Sequence, residues 1–461
     1  MRIGIGNGSA DRHLPLVPNS MHLHALEVDL VVAKPSANRG LSSPARIARM
    51  VGRVKPERPN GAVDDTMRMV AAMLDGAHVA SPDDLPDVVA AAAATLGWQA
   101  TMYLVTYDQR TLVAFTRQPE ASRPSEPVDA SVAGMAFRDS RTLPAVHGGV
   151  TRIWAPLLDS VERLGVLEIT SEDDISAPEW SDRVRWFAHL TGHLVAAKSP
   201  YGDRLHCLRL NDQERTVASE LVWSLLPPLT MACPNLVISA ALEPCDEVAG
   251  DVFDYAVAGH LAHVAIVDAT GHDLNSGVIG AVTLAAYRNS RRTAKDLPGS
   301  MRHVDQTLQK LGEHTYATGI FGTLDLNTGL LRYLNAGHPA PLLLRNRKVV
   351  RELEGGRRIL LGFDNGVPGT PAEEQLEPGD WIILYTDGIT EARDAERAFF
   401  GLDRLIDFVE QCAADGQSAP ETLRRLAHAI LDHQHGILQD DATLIILQWA
   451  SGKEHELSAS S

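Results

Sequence analysis

In the C-terminal half of this chain, apolar segments of strand length run repeatedly into aspartate. WIILY leads into Thr386, Asp387 and Gly388, HVAIV leads into Asp268, and VAGDVFD carries Asp251 and Asp254. Asp440 and Asp441 stand just ahead of TLIILQW. A bare carboxylate at the end of a core strand is costly to desolvate unless it is paired. Glycine lies beside, or within three residues of, the first three of these sites, where it permits tight turns and close approach of a ligand. Taken singly, each aspartate has a plain explanation as a solvated turn residue. Taken together, they imply convergent strands whose carboxylates repel one another unless cations lie between them. Hard divalent ions such as Mg²⁺ or Mn²⁺ take oxygen ligands of this kind. The simplest partner for Asp387 is a metal.

The chemistry left open is narrow. The chain has no G-x-S-x-G, no Walker loop, and no cysteine in a recognisable phosphatase loop. An oxygen-only ligand set then points to metal-assisted chemistry on phosphate, in which two ions ~3.5–4 Å apart activate water for in-line attack. A formal net charge of −17 repels nucleic-acid phosphates, so no nucleic-acid partner is expected. Cys207, Cys233, Cys245 and Cys412 are scattered without zinc spacing, which suits a reducing cytoplasm. The N-terminus lacks the basic and apolar regions of a signal peptide. The longest apolar run, Val88 to Trp98, is about half of a spanning helix. A cytoplasmic protein with no membrane partner is expected.

At 461 residues the chain predicts two to three domains. Residues 1–64 read as irregular, with one strand over Leu26 to Val32, and GIGNGSA near the start reads as a flexible terminus. Over 65–198 the pattern is helix, two strands, helix, two strands, helix, an α+β sensory layout. Residues 203–228 predict one connector helix with Val217, Leu221 and Leu225 on one face, ended by Pro227 and Pro228. A coiled-coil homodimer through this helix is one reading, and an ordinary packed helix is the other. From 229 to 450 short strands joined by tight turns argue for antiparallel sheets with helices outside, near 274–293, 301–313, 402–412 and 420–433. Residues 451–461 read as a disordered tail.

Two resemblances sharpen this. The 65–198 pattern resembles a GAF domain, with SVAGMAFRDSR where that family has its pocket-lining helix; an unidentified small-molecule ligand is implied. Further on, VAGDVFD, VDATGHD, LNAGHPAPLLL, LYTDGITEARD with FGLDRL after it, and DDATLIIL stand in the order of the bacterial PPM (type 2C-like) phosphatases. The branch is the SpoIIE/RsbU type of metal-dependent serine/threonine protein phosphatase, and SLLPP resembles the end of its connector. This implies an α-β-β-α sandwich of two antiparallel sheets. It also implies two Mn²⁺ or Mg²⁺ ions held by Asp251, Asp268, Asp387 and Asp440 with the backbone carbonyl of Ala269. Asp441 matches the neighbouring position. The implied partner is a phosphorylated STAS-type anti-sigma-factor antagonist. The chain departs from the family where Ala249 replaces a glycine of the first motif and Asp273 replaces the last glycine of the second, where it is expected to cap the helix at Leu274. His338 reads either as a proton donor or as a turn histidine, and Arg291 and Arg292 as residues of a solvated helix. The alternative from another class is a catalytically inactive module that keeps the fold. A nucleotide phosphohydrolase or cyclase finds no base-recognition loop in the sequence.

Overall fold

The computed structural model describes residues 61–452 apart from 118–122, 148–149, 174, 176, 211–215, 244–249, 272–273, 313–314, 364–365, 368 and 437. The readings made for 1–60, Ala249, Asp273 and most of the C-terminal tail fall outside these residues.

The N-terminal domain starts with α1 (Gly61–Val79), whose Met69, Met73 and Ala77 recur every fourth residue and are buried. Ser81 and Asp84 form a capping box in which the Ser81 amide donates to Asp84 Oδ2 at 3.2 Å, ahead of α2 (Leu85–Ala94). Then come β1 (Gln99–Val105), β2 (Thr111–Phe115), the two-residue β3 (Glu126–Pro127), α3 (Val132–Asp139), β4 (Leu143–His147), β5 (Val150–Asp159), β6 (Glu162–Thr170) and α4 (Ser181–Lys198). They build one antiparallel sheet in the order β3-β2-β1-β6-β5-β4. One face packs on α1, α2 and α4 through Leu104, Leu167 and Phe187; the other packs on α3 through Tyr103, Phe137 and Trp154.

Between the domains the structure differs from the single helix expected over 203–228. There are two helices, α5 (Asp203–Leu210) and α6 (Val217–Leu225). Thr216 is extended and its hydroxyl accepts from the Ser219 amide at 3.1 Å, so it starts a new helix. The expected stripe is not the buried one either: Val217 is 75% exposed and Val222 is buried.

The C-terminal domain contains β7 (Thr230–Cys233), β8 (Leu236–Glu243), β9 (Asp251–Ala258), β10 (Leu261–Ala269), α7 (Leu274–Arg292), α8 (Leu297–Leu311), β11 (Ala317–Asp325), β12 (Leu330–Ala336), β13 (Leu342–Arg345), β14 (Lys348–Glu352), β15 (Arg357–Arg358), β16 (Ala372–Gln375), β17 (Trp381–Tyr385), the single-turn α9 (Asp387–Thr390), α10 (Gly401–Ala414), α11 (Ala419–His433) and β18 (Ala442–Trp449). One sheet runs β15-β12-β11-β10-β9, with β16 also on β12; the other runs β14-β13-β17-β18-β8-β7. Pairing is antiparallel except for the short β15, which runs parallel to β12. Phe253, Ile266 and Ile320 from the first sheet meet Ile238, Ile382 and Ile445 from the second in one core. The outer face of the first sheet is covered by α7 and α8, that of the second by α10 and α11. This is the expected α-β-β-α sandwich. No helix among the described residues is long and apolar enough to cross a membrane.

Candidate active site

The register of β9 and β10 sets Asp251 directly opposite Asp268, so two carboxylates share one rung at the end of the first sheet. From the second sheet, β17 is followed by Thr386, the N-cap of α9, which starts at Asp387, and β18 begins just after Asp440 and Asp441. Each sheet has one close backbone approach at this end. A Cβ on Gly388 would lie 2.0 Å from the Asp441 carbonyl oxygen, and one on Gly250 would lie 2.7 Å from that of Ala269. Only glycine fits either position without a shift.

Electrostatics register the convergence. Asp251 is buried and its pKa stands well above the ordinary carboxylate range, through burial first and then through Asp268 and Asp441. Asp268 is pushed up to about 7 by burial and by Asp387, Asp440 and Asp441. Burial, Asp387 and Asp441 also raise Asp440. Asp387, by contrast, lies at an exposed position on the rim. The desolvation cost expected of Asp387 falls instead on the buried Asp251.

Neighbouring side chains hold these groups in place, and of them the threonines carry no signal in the sequence. The Thr386 hydroxyl donates to Asp251 Oδ2 at 2.7 Å and accepts from the Thr443 amide at 3.0 Å. Buried Asp441 accepts from the amides of Gly250 at 2.8 Å and Asp251 at 3.3 Å, which makes it a brace between the sheets. Thr318, opposite Asp268 in the register, bonds that carboxylate and also lies 2.7 Å from Nδ1 of His338. Its hydroxyl has one proton; given to Asp268, it leaves the oxygen to accept from Nδ1. Threonines inside apolar strands carry no spacing signal, which is why pattern reading passes over them.

His338 is the turn histidine of its two readings. It is 1% exposed, its amide donates to Asn335 Oδ1 at 2.8 Å, and burial pushes its pKa down to about 3. A ring neutral at pH 7 is no proton donor of the imidazolium kind. Asp254 is also set apart from the cluster. It faces α7, where Arg288 and Arg291 each reach it at 2.8 Å. Arg291 is therefore ion-paired, with a side chain only 10% exposed, and not on a solvated face.

The donor set suits a hard divalent cation: oxygen only, mutually repelling, with the Ala269 carbonyl kept clear by the missing side chain of Gly250. Among the described residues, no three acidic, histidine or cysteine side chains are gathered closely enough to close around one ion. The fit is one of chemistry and placement.

A two-sheet sandwich with helices outside and aspartates at the converging strand ends defines the class, a PPM-type phosphatase domain. Within that class, residues 258–450 match the family model "Stage II sporulation protein E (SpoIIE)", and this domain belongs to that family. The chain is 28% identical over 253 residues to Protein IcfG of Synechocystis sp., a match covering 47% of this chain and 39% of that protein. It is 25% identical over 244 residues to the phosphoserine phosphatase RsbU of Bacillus subtilis, covering 51% of this chain and 70% of RsbU. Among solved structures, the RsbU and RsbW domains of Rv1364c from Mycobacterium tuberculosis align at 25% identity and a TM-score of 0.43, over 47% of this chain and 62% of that one.

Proposed function

We propose that the chain is a metal-dependent serine/threonine protein phosphatase. One observation carries the reading: Asp251, Asp268, Asp387 and Asp440, from four strand ends of a SpoIIE-family domain, act on one another electrostatically. These four side chains and the Ala269 carbonyl would hold two Mn²⁺ or Mg²⁺ ions. Such ions supply activation of water and neutralisation of phosphoryl charge. The chain's own groups do the rest. Thr386 orients Asp251, Thr318 orients Asp268, and Asp441 holds the Gly250 amide so that the Ala269 carbonyl stays clear. The exposed Asp387 leaves the rim open to a phosphorylated protein segment.

The substrate we propose is a phosphoserine or phosphothreonine of a STAS-type anti-sigma-factor antagonist, consistent with the similarity to RsbU. The domain over 65–198 is proposed as a GAF-like sensor of a small molecule, linked through residues 203–228. One contact gives that link a physical basis: Arg288, bonded to Asp254 on β9, also donates to the Leu225 carbonyl at the end of α6 at 2.7 Å.

Hydrolysis of p-nitrophenyl phosphate and of a phosphorylated antagonist, with and without Mn²⁺, tests the reading. Turnover should need the metal, vanish in excess EDTA, survive thiol alkylation, and fall by at least about a hundredfold in Asp387→Ala, as expected when an interaction made in the transition state is removed. Full activity in EDTA would overturn the metal assignment. Binding of the phosphoprotein without turnover at saturating Mn²⁺ would identify an inactive module.

A further inference from the structure

Helix α11 buries the face that a surface helix ordinarily leaves in water. Glu421, Arg424 and His428 fall at i, i+3 and i+7, on one side of the helix, and are only 5%, 4% and 8% exposed. Leu423, Leu426 and Ile430 belong to the apolar core under the second sheet, and the helix packs against β8 and β18. The N-terminal domain covers the polar stripe. Arg163 of β6 donates to Glu421 at 3.0 Å, with both side chains under a tenth exposed. Arg424 reaches Glu421 at 2.8 Å and Asp129 at 2.7 Å. Nε2 of His428 lies 2.7 Å from the Asp108 carbonyl; a carbonyl only accepts, so His428 donates there. At the rim Arg110 meets Asp432 at 3.2 Å.

Buried ion pairs fix geometry more than they add affinity, because desolvation offsets most of the Coulomb attraction. Separating the domains would return these groups to water, so the contact is strict in register and readily released. Its other side leads to the active site. Helix α11 braces β18, and β18 follows directly on Asp440 and Asp441, the latter holding the amides of Gly250 and Asp251.

We propose that the charged stripe of α11 is a releasable docking surface for the chain's own N-terminal domain, and that docking there steadies the carboxylate cluster. This is a second route of control, separate from the connector, and its effect on turnover rests on the phosphatase reading. Arg163→Glu in the full-length chain sets like charge against Glu421. Asp129→Lys opposes Arg424 from the exposed rim and leaves the cores of both domains untouched. With folding checked by circular dichroism, hydrogen exchange should quicken in 105–130 and 419–433 and at the amides of Gly250 and Asp251. Turnover of p-nitrophenyl phosphate with Mn²⁺ should fall at least about fivefold, the lower end of ordinary allosteric couplings. Unchanged exchange in 419–433 would overturn the docking. Loosening confined to the docking segments, or a rise in turnover, would overturn the steadying role. Should the wild type itself hydrolyse nothing, the phosphatase reading fails, and exchange at Gly250 and Asp251 still decides the inference.

Discussion

Asp268 sits near its midpoint at neutral pH because the folded chain resists charging it. A carboxyl raised from 3.8 to about 7 on folding contributes stability fully below pH 3.8, and that contribution is lost as pH rises through about 7. Asp268→Asn should therefore raise the melting temperature of the metal-free protein at pH 8 and leave it almost unchanged at pH 4. At about 1.4 kcal/mol for each pH unit by which a pKa moves, the ceiling on that gain is about 4 kcal/mol. Thermal unfolding in EDTA at the two pH values checks it, and equal shifts at both would remove repulsion as the cause. The candidate ligands were legible at this scale because each adjoins an apolar run. Their supports were not: Thr386, Thr318 and Thr443 read as ordinary strand residues until the sheets meet.

Elements were legible where local signals agree. The helix expected over 301–313 begins four residues earlier, at Leu297, because the Asp296 side chain caps it, accepting from the Gly299 amide at 2.8 Å. Helix α1 starts within the segment expected to be irregular, although Met69, Met73 and Ala77 mark its buried face, and the Thr216 cap divides the connector expected as one helix. The turn from β17 into α9 gives a sharper test. Gly388→Ala would press a methyl group into the Asp441 carbonyl, and overpacking of this kind costs about 1–3 kcal/mol. We expect a lower midpoint in urea, and a loss of turnover larger than that destabilisation explains, because Asp441 holds the amides of Gly250 and Asp251. A variant of wild-type stability and rate would show that the two segments part freely.

Over the whole molecule, acid should separate the domains before it unfolds them. Burial pushes the pKa of His428 below its ordinary 6.5, with Arg424 and Arg110 adding to the effect and the Asp108 carbonyl and Asp129 opposing it. Arg424 lies 3.4 Å from Nδ1, so protonation there sets two donors against each other. A base depressed in this way contributes to docking above pH 6.5 and ceases to do so as pH falls. Arg424 holds Asp129 down to about 2, so its contribution persists until below 3.8. Between those limits His428 acts by itself within this pair. Hydrogen exchange over 419–433 should accelerate from pH 7.5 to 5.0, after correction for intrinsic rates, and His428→Gln should flatten the profile; identical profiles would exclude the histidine. This contact escaped the sequence reading because charge pairing across about 300 residues leaves no local pattern. The rung formed by Asp251 and Asp268 has a consequence for descent. Selection for turnover keeps a charge pair that selection for stability alone would discard, since natural chains stay only just above the stability they need. In lineages released from phosphate chemistry, asparagine or serine should replace one member of this rung early, while the sandwich, its glycines and the α11 stripe persist as a signalling scaffold.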